Sequence, residues 1–136
     1  MPGTYVTDYT ALTLLSASDA TADANGSSVA ATALIKGRPY QAKLTLAAVT
    51  GTNPELIVTL QGSDSSSHAS GLYEYGAFGT IVAADAQGTK YLTFVPQHDY
   101  LRAVVRVDGT DTPTFNDVTV TIEEINYQRT TTVSSA

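Results

Sequence analysis

The sequence predicts an all-β fold: a single-domain antiparallel β-sandwich of about eight strands. Three observations predict it. Apolar residues recur with a period of two along most of the chain, the spacing that sends alternate side chains to opposite faces of a strand. Turn residues interrupt this pattern at the short spacing of sandwiches and barrels. The composition also disfavours helix. Only 15% of the 136 residues are charged, and Thr, Ser, Ala, Val and Gly take their place.

Each run follows in chain order. Leu12 and Leu14 flank Thr13 in the first. Val29, Ala31, Ala33 and Ile35 alternate in the second, which reads as more fully buried. Tyr40, Ala42, Leu44 and Leu46 make the third, with Lys43 between. Leu56, Val58 and Leu60 make the fourth, Tyr73 and Tyr75 the fifth, Leu92 and Phe94 the sixth. Leu101, Ala103, Val105 and Val107 form the seventh, and Val118, Val120 and Ile122 the eighth. Between them, Asn25-Gly26 is a hairpin signal, and Gly51 to Pro54 and Gly109 to Pro113 read as loops closed by a proline. These two loops echo one another: each has a Val, then Gly-Thr, then a Pro, ahead of a strand. The stretch 62–71 is a serine-rich loop, and only 83–87 offers one short helical turn. The pattern divides the chain into an N-terminal arm (1–9), the sandwich (10–127) and a C-terminal tail (128–136).

Composition excludes several function classes. With no cysteine, disulfide scaffolds, thiolate metal sites and cysteine nucleophiles are ruled out. A net charge of −6 provides no basic stripe for nucleic acid and disfavours an anionic membrane. No apolar stretch is long enough to span a bilayer, and no secretory signal is visible at the start.

The chemistry-bearing residues are few. His68 sits among Asp64, Ser65, Ser66, Ser67 and Ser70. The residue types suit a nucleophilic triad, but they crowd one loop with no elbow to hold the serine, so a solvated hairpin tip is expected. His98-Asp99 reads as a turn in which Asp99 bonds its own backbone, with no chelating partner nearby in sequence. Asp19, Asp23, Asn25 and Gly26 fail the calcium-loop spacing. Glu123 and Glu124, adjacent in a strand, point to opposite faces and cannot act as a pair. No catalytic residue, cofactor or metal is therefore expected. The 8 tyrosines carry more information. Tyr73 and Tyr75 project from one strand face beside the polar loop, an arrangement suited to contact with another protein or to stacking on a sugar.

The middle of the chain carries a resemblance. Gly37-Arg38-Pro39-Tyr40 with Lys43 and Leu44 leads through Ala48 to Pro54, then Leu56, Val58, Leu60 and Gln61-Gly62-Ser63-Asp64. Tyr91 to Pro96, Tyr100 to Val104, Gly109-Thr110 and Pro113-Thr114-Phe115 follow. Over roughly residues 30–125 this resembles the jelly-roll cement, or decoration, proteins of tailed-phage capsids. The loop 65–70 departs from that pattern, which often has Asp-Gly-Thr and then a tryptophan. The resemblance implies a jelly-roll sandwich and a non-enzymatic protein on the outer capsid surface, made in the host cytoplasm. Its implied partners are the major capsid protein and further copies of itself, as a homodimer or homotrimer. The expected interface residues are Tyr5, Val6, Tyr9, Asp64, His68, Tyr73, Tyr75, Tyr127 and Arg129, chosen for polarity and position. The alternative is a carbohydrate- or receptor-binding module of a phage fibre or cell-surface protein.

Overall fold

The computed structural model describes residues 10–125. Eight antiparallel strands form a sheet nearly closed on itself, a jelly-roll-like sandwich. They are β1 (Thr10–Ala20), β2 (Ala24–Asn25), β3 (Val29–Ala30), β4 (Tyr40–Thr45), β5 (Ala48–Ser63), β6 (Tyr73–Ala77), β7 (Thr89–Phe94) and β8 (Tyr100–Glu124). A 3-10 turn, Ala83–Asp85, precedes β7. The Asp85 carboxylate caps it by accepting the Val82 N–H at 2.9 Å.

β8 is the spine. Its first part, from Tyr100 to Asp108, pairs with β5 on one side and with β2 and β3 on the other; β6 extends β5. Its last part, from Thr119 to Glu124, lies between β4 and β1, and β7 extends β4. One strand therefore belongs to both layers, and where it crosses it must bend. The bend falls where Thr52 faces Thr110, between shifts of register. Gly51 and Gly109 there have φ of 108° and 122°, which side chains rarely adopt. Each glycine lies against the other motif's proline. A Cβ on Gly51 would stand 2.7 Å from Pro113 Cα, and one on Gly109 would stand 3.0 Å from Pro54 Cα. The echo between the two Gly-Thr…Pro motifs thus has a physical meaning: the motifs are the facing halves of one bulged corner. They are not loops, as the sequence reading expected, because each is paired across the ladder.

The period-two pattern sets the core. Tyr40, Ala42 and Leu44 of β4, Leu56, Val58 and Leu60 of β5, Leu101, Ala103 and Val105 of β8, and Val118, Val120 and Ile122 further along it are all buried. Their alternate neighbours are half-buried or exposed, as in a sheet with one solvated side, except Glu123, which is buried.

Two expectations change. The run 29–35 is a strand only over Val29–Ala30; turns follow, with Ala31 and Leu34 buried and Ile35 exposed. Asn25-Gly26 does not reverse the chain. Gly26 instead donates its N–H to the Ala103 carbonyl at 2.7 Å, and a Cβ there would come within 2.8 Å of that oxygen. Glycine is needed for close approach, not for a turn. The predicted strands at 101–107 and 118–122 are both parts of β8, so the strand number agrees while the partition differs.

Candidate functional site

Three connections meet at one end of the sandwich: 31–39 before β4, 64–72 between β5 and β6, and 95–99 between β7 and β8. Backbone bonds fix their relative positions. Gly37 N–H reaches the Pro96 carbonyl at 3.0 Å, and Ala31 N–H reaches the Asp99 carbonyl at 2.8 Å. Side chains add to this. Asp64 Oδ1 accepts the Asp99 N–H at 2.9 Å, and Asp99 Oδ1 accepts from Lys36 Nζ at 2.6 Å. The Asp99 carboxylate, expected to close its own turn, instead spans to another connection. That bond is the main reason the Lys36 ammonium is held above its ordinary range.

An aromatic cluster rises from this frame. Gly62 of β5 faces Tyr73 across the ladder. A Cβ on Gly62 would lie 2.6 Å from the Tyr75 ring and 3.2 Å from His98 Nδ1, so only glycine leaves room for both rings. The Tyr75 hydroxyl accepts the Gln97 N–H at 2.8 Å and lies 2.5 Å from His98 Nδ1. Burial pushes the Tyr75 phenol up, and its backbone hydrogen bonds partly oppose this. The ring also meets Phe94 edge-on at 5.4 Å. On this base Tyr73 stacks against His98 at 5.3 Å and meets the edge of Tyr75 at 4.9 Å. Tyr73 nevertheless remains 52% exposed, and Leu72 beside it 50%. The result is an aromatic side chain held in place yet open to solvent.

The predicted site residues separate accordingly. Tyr73 and Tyr75 come together with His98, which the sequence reading had set aside as part of a turn. Asp64 is exposed, but one of its oxygens is engaged in holding the frame. His68 is only 4% exposed, a correction to the solvated tip expected of it. It is turned inward by a left-handed backbone, with φ of 55°, so in this conformation it offers nothing to a partner. Tyr5, Val6, Tyr9, Tyr127 and Arg129 lie outside the described residues. The sequence signal that would have found His98 was weak: two tyrosines on one strand face, a glycine opposite them, and a histidine just after a strand.

The arrangement holds Tyr73, Tyr75 and His98 against one another. Neither ring nitrogen of His68 has a hydrogen-bond partner among the described residues. The nearby serines bond elsewhere: Ser63 Oγ to the Ser70 carbonyl at 2.7 Å, and Ser65 Oγ with Ser67 Oγ at 3.0 Å. A relay from carboxylate to histidine to serine is not assembled here. Among the described residues no three His, Asp or Glu side chains gather in a way that could hold a metal ion. Asp19 and Asp23 each accept a β8 backbone N–H, from Asp117 at 3.0 Å and Val107 at 2.9 Å, and so pin the β1–β2 connection to the spine. Glu123 is buried, with Gln41 Nε2 at 3.3 Å and Lys43 Nζ at 3.9 Å, while Glu124 stands on the other face of the strand. Comparison with protein-family models, with curated proteins and with solved structures gave no match.

Proposed function

We propose that this chain is a non-enzymatic decoration protein that docks on the outside of an assembled phage capsid and bridges its coat subunits. The observation that carries the reading is Tyr73. It is a half-exposed aromatic fixed by Tyr75 and His98, at an end where three connections are tied together. A side chain already held in its bound geometry loses little entropy on docking, and aromatic anchors of this kind dominate protein interfaces. The resemblance of residues 30–125 to capsid cement proteins supplies the kind of partner, the major capsid protein.

The mode of action follows from repetition. One copy makes modest contacts, but a dimer or trimer engages several coat subunits at once, and effective concentration turns weak contacts into firm retention. Tighter binding to the assembled shell than to free subunits stabilises the shell by mass action. The net charge of −6 keeps the unbound protein soluble before docking.

The test is the protein content of purified particles of the phage that encodes the chain. The expected result is many copies in fixed proportion to the coat subunit. Absence from particles, or a few copies each, would contradict the proposal. A carbohydrate-binding module would instead show glycan-array binding by the isolated protein that Tyr73→Ala removes.

A further inference from the structure

His68 sits in unfavourable surroundings. Its ring is almost sealed from solvent, and neither Nδ1 nor Nε2 meets a hydrogen-bond partner among the described residues. Its backbone is left-handed, and its N–H closes a turn onto the Ser65 carbonyl at 3.0 Å. A buried polar group without a partner is costly, so such groups in folded proteins call for an explanation.

The surroundings give one. From β8 the charged group facing the ring is Arg102, held by its Nε bond to Gln61 Oε1 at 2.7 Å. From β5 comes the Gln61 backbone carbonyl, close enough to favour a proton slightly but outside hydrogen-bond geometry. From its own loop, Asp64 is turned to the Asp99 N–H and is exposed. From β6, Glu74 faces Gln61 across the ladder and is exposed. No carboxylate is placed to accept an imidazolium N–H, and the one close charge is a cation.

We propose that the 63–72 loop is an acid-opened latch, kept shut by a neutral His68 and released when that ring takes up a proton. The enclosed ring tolerates its neutral form. A proton adds a second unsatisfied N–H and a positive charge beside Arg102, whereas opening the loop lets water solvate both. The bonds that resist the opening are few among the described residues. Within the loop they are Ser63 Oγ to the Ser70 carbonyl, Ser65 N–H to Ser63 Oγ at 3.0 Å, Ser65 Oγ with Ser67 Oγ and His68 N–H to the Ser65 carbonyl, and beyond it the Asp64 bond to the Asp99 N–H. The loop leads directly into Leu72 and Tyr73, so its release rearranges the exposed end of the sandwich. The latch stands independently of any role on a capsid.

Enclosure, and secondarily Arg102, hold the His68 ring below its ordinary value. The closed loop therefore binds fewer protons than the open one. Its stability is complete above the ordinary histidine value of about 6.5 and is lost as pH falls below it. Proton uptake on opening raises the opening equilibrium by up to about tenfold between pH 7.5 and 5.5, the limit reached when the closed ring stays neutral throughout.

The test is amide hydrogen exchange on the full chain at these two pH values, corrected for intrinsic rates, with the His68 and His98 ring signals followed by NMR. The expected result is a fall in protection at 64–72 of up to about tenfold, protection in β5 and β8 unchanged, and no such fall in His68→Leu. Equal loop protection at both values overturns the proposal, and so does an undiminished fall in His68→Leu. Should that variant fail to fold, His68→Gln replaces it. The wild-type ring signal decides independently: a His68 that titrates near 6.5 while its loop stays protected contradicts the latch.

Discussion

Tyr73 and Tyr75 are two residues apart and have different tasks. The Tyr75 hydroxyl joins Gln97 N–H and His98 Nδ1, so this residue is structural. Tyr75→Phe removes that hydroxyl and is expected to cost about 1 kcal/mol of stability, read as a lower urea midpoint at unchanged slope. Tyr73 contributes exposed surface above that base. Tyr73→Ala is expected to leave the urea midpoint nearly unchanged while weakening retention on particles by roughly 30-fold, the effect of losing an interface anchor worth about 2 kcal/mol. A variant that unfolds early and still binds normally would reverse these assignments. Gly109 presents a third case. Its φ is 122°, and a Cβ added there would stand 2.9 Å from Asn53 O, so there is no room for a methyl group. Gly109→Ala is therefore expected to destabilise by at least about 2 kcal/mol, from backbone strain and steric clash together. An unchanged midpoint would show that the corner can relax.

At the scale of elements, alternation was legible wherever a strand has one buried and one solvated side. Tyr40-Ala42-Leu44, Leu56-Val58-Leu60 and Val118-Val120-Ile122 all point inward as their period requires. Legibility failed where long-range pairing overrides local turn chemistry. Gly51 to Pro54 and Gly109 to Pro113 have the composition of loops, yet each supplies the other's ladder partner, and nothing within one motif announces the other. Asn25-Gly26 failed for a similar reason: its glycine answers to Ala103, some 80 residues away by sequence numbering. At the candidate site, Tyr73 and Tyr75 were visible because they share a strand face. His98 was missed, and His68 was misplaced. The first depends on β6 lying near the end of β7, and the second on a left-handed turn within a serine-rich loop that local polarity suggests is solvated. The paired corner carries its own prediction. Thr52 Oγ1 donates to the Asp111 carboxylate across it. Asp111→Ala is expected to raise amide exchange at 50–54 and 109–113 together, since the two motifs act as one unit. An increase confined to one motif would separate them.

For the whole molecule, topology dominates. The first described strand pairs with the last, Thr10 opposite Glu123, so partners far apart in sequence must meet before the sheet is complete. Refolding is accordingly expected in the millisecond-to-second range of β-sandwiches, not in microseconds. A body of this kind, one sheet wrapped around one core with its connections tied together at one end, is suited to presenting a rigid surface. That is the property on which docking in many copies depends. The most direct measurement is a cryo-EM map of particles of the phage proposed to carry the chain. The account predicts repeated density for the sandwich on the outer shell, with the Tyr73 end seated against coat subunits. Particles without that density, or with the Tyr73 end facing solvent in every copy, would contradict it.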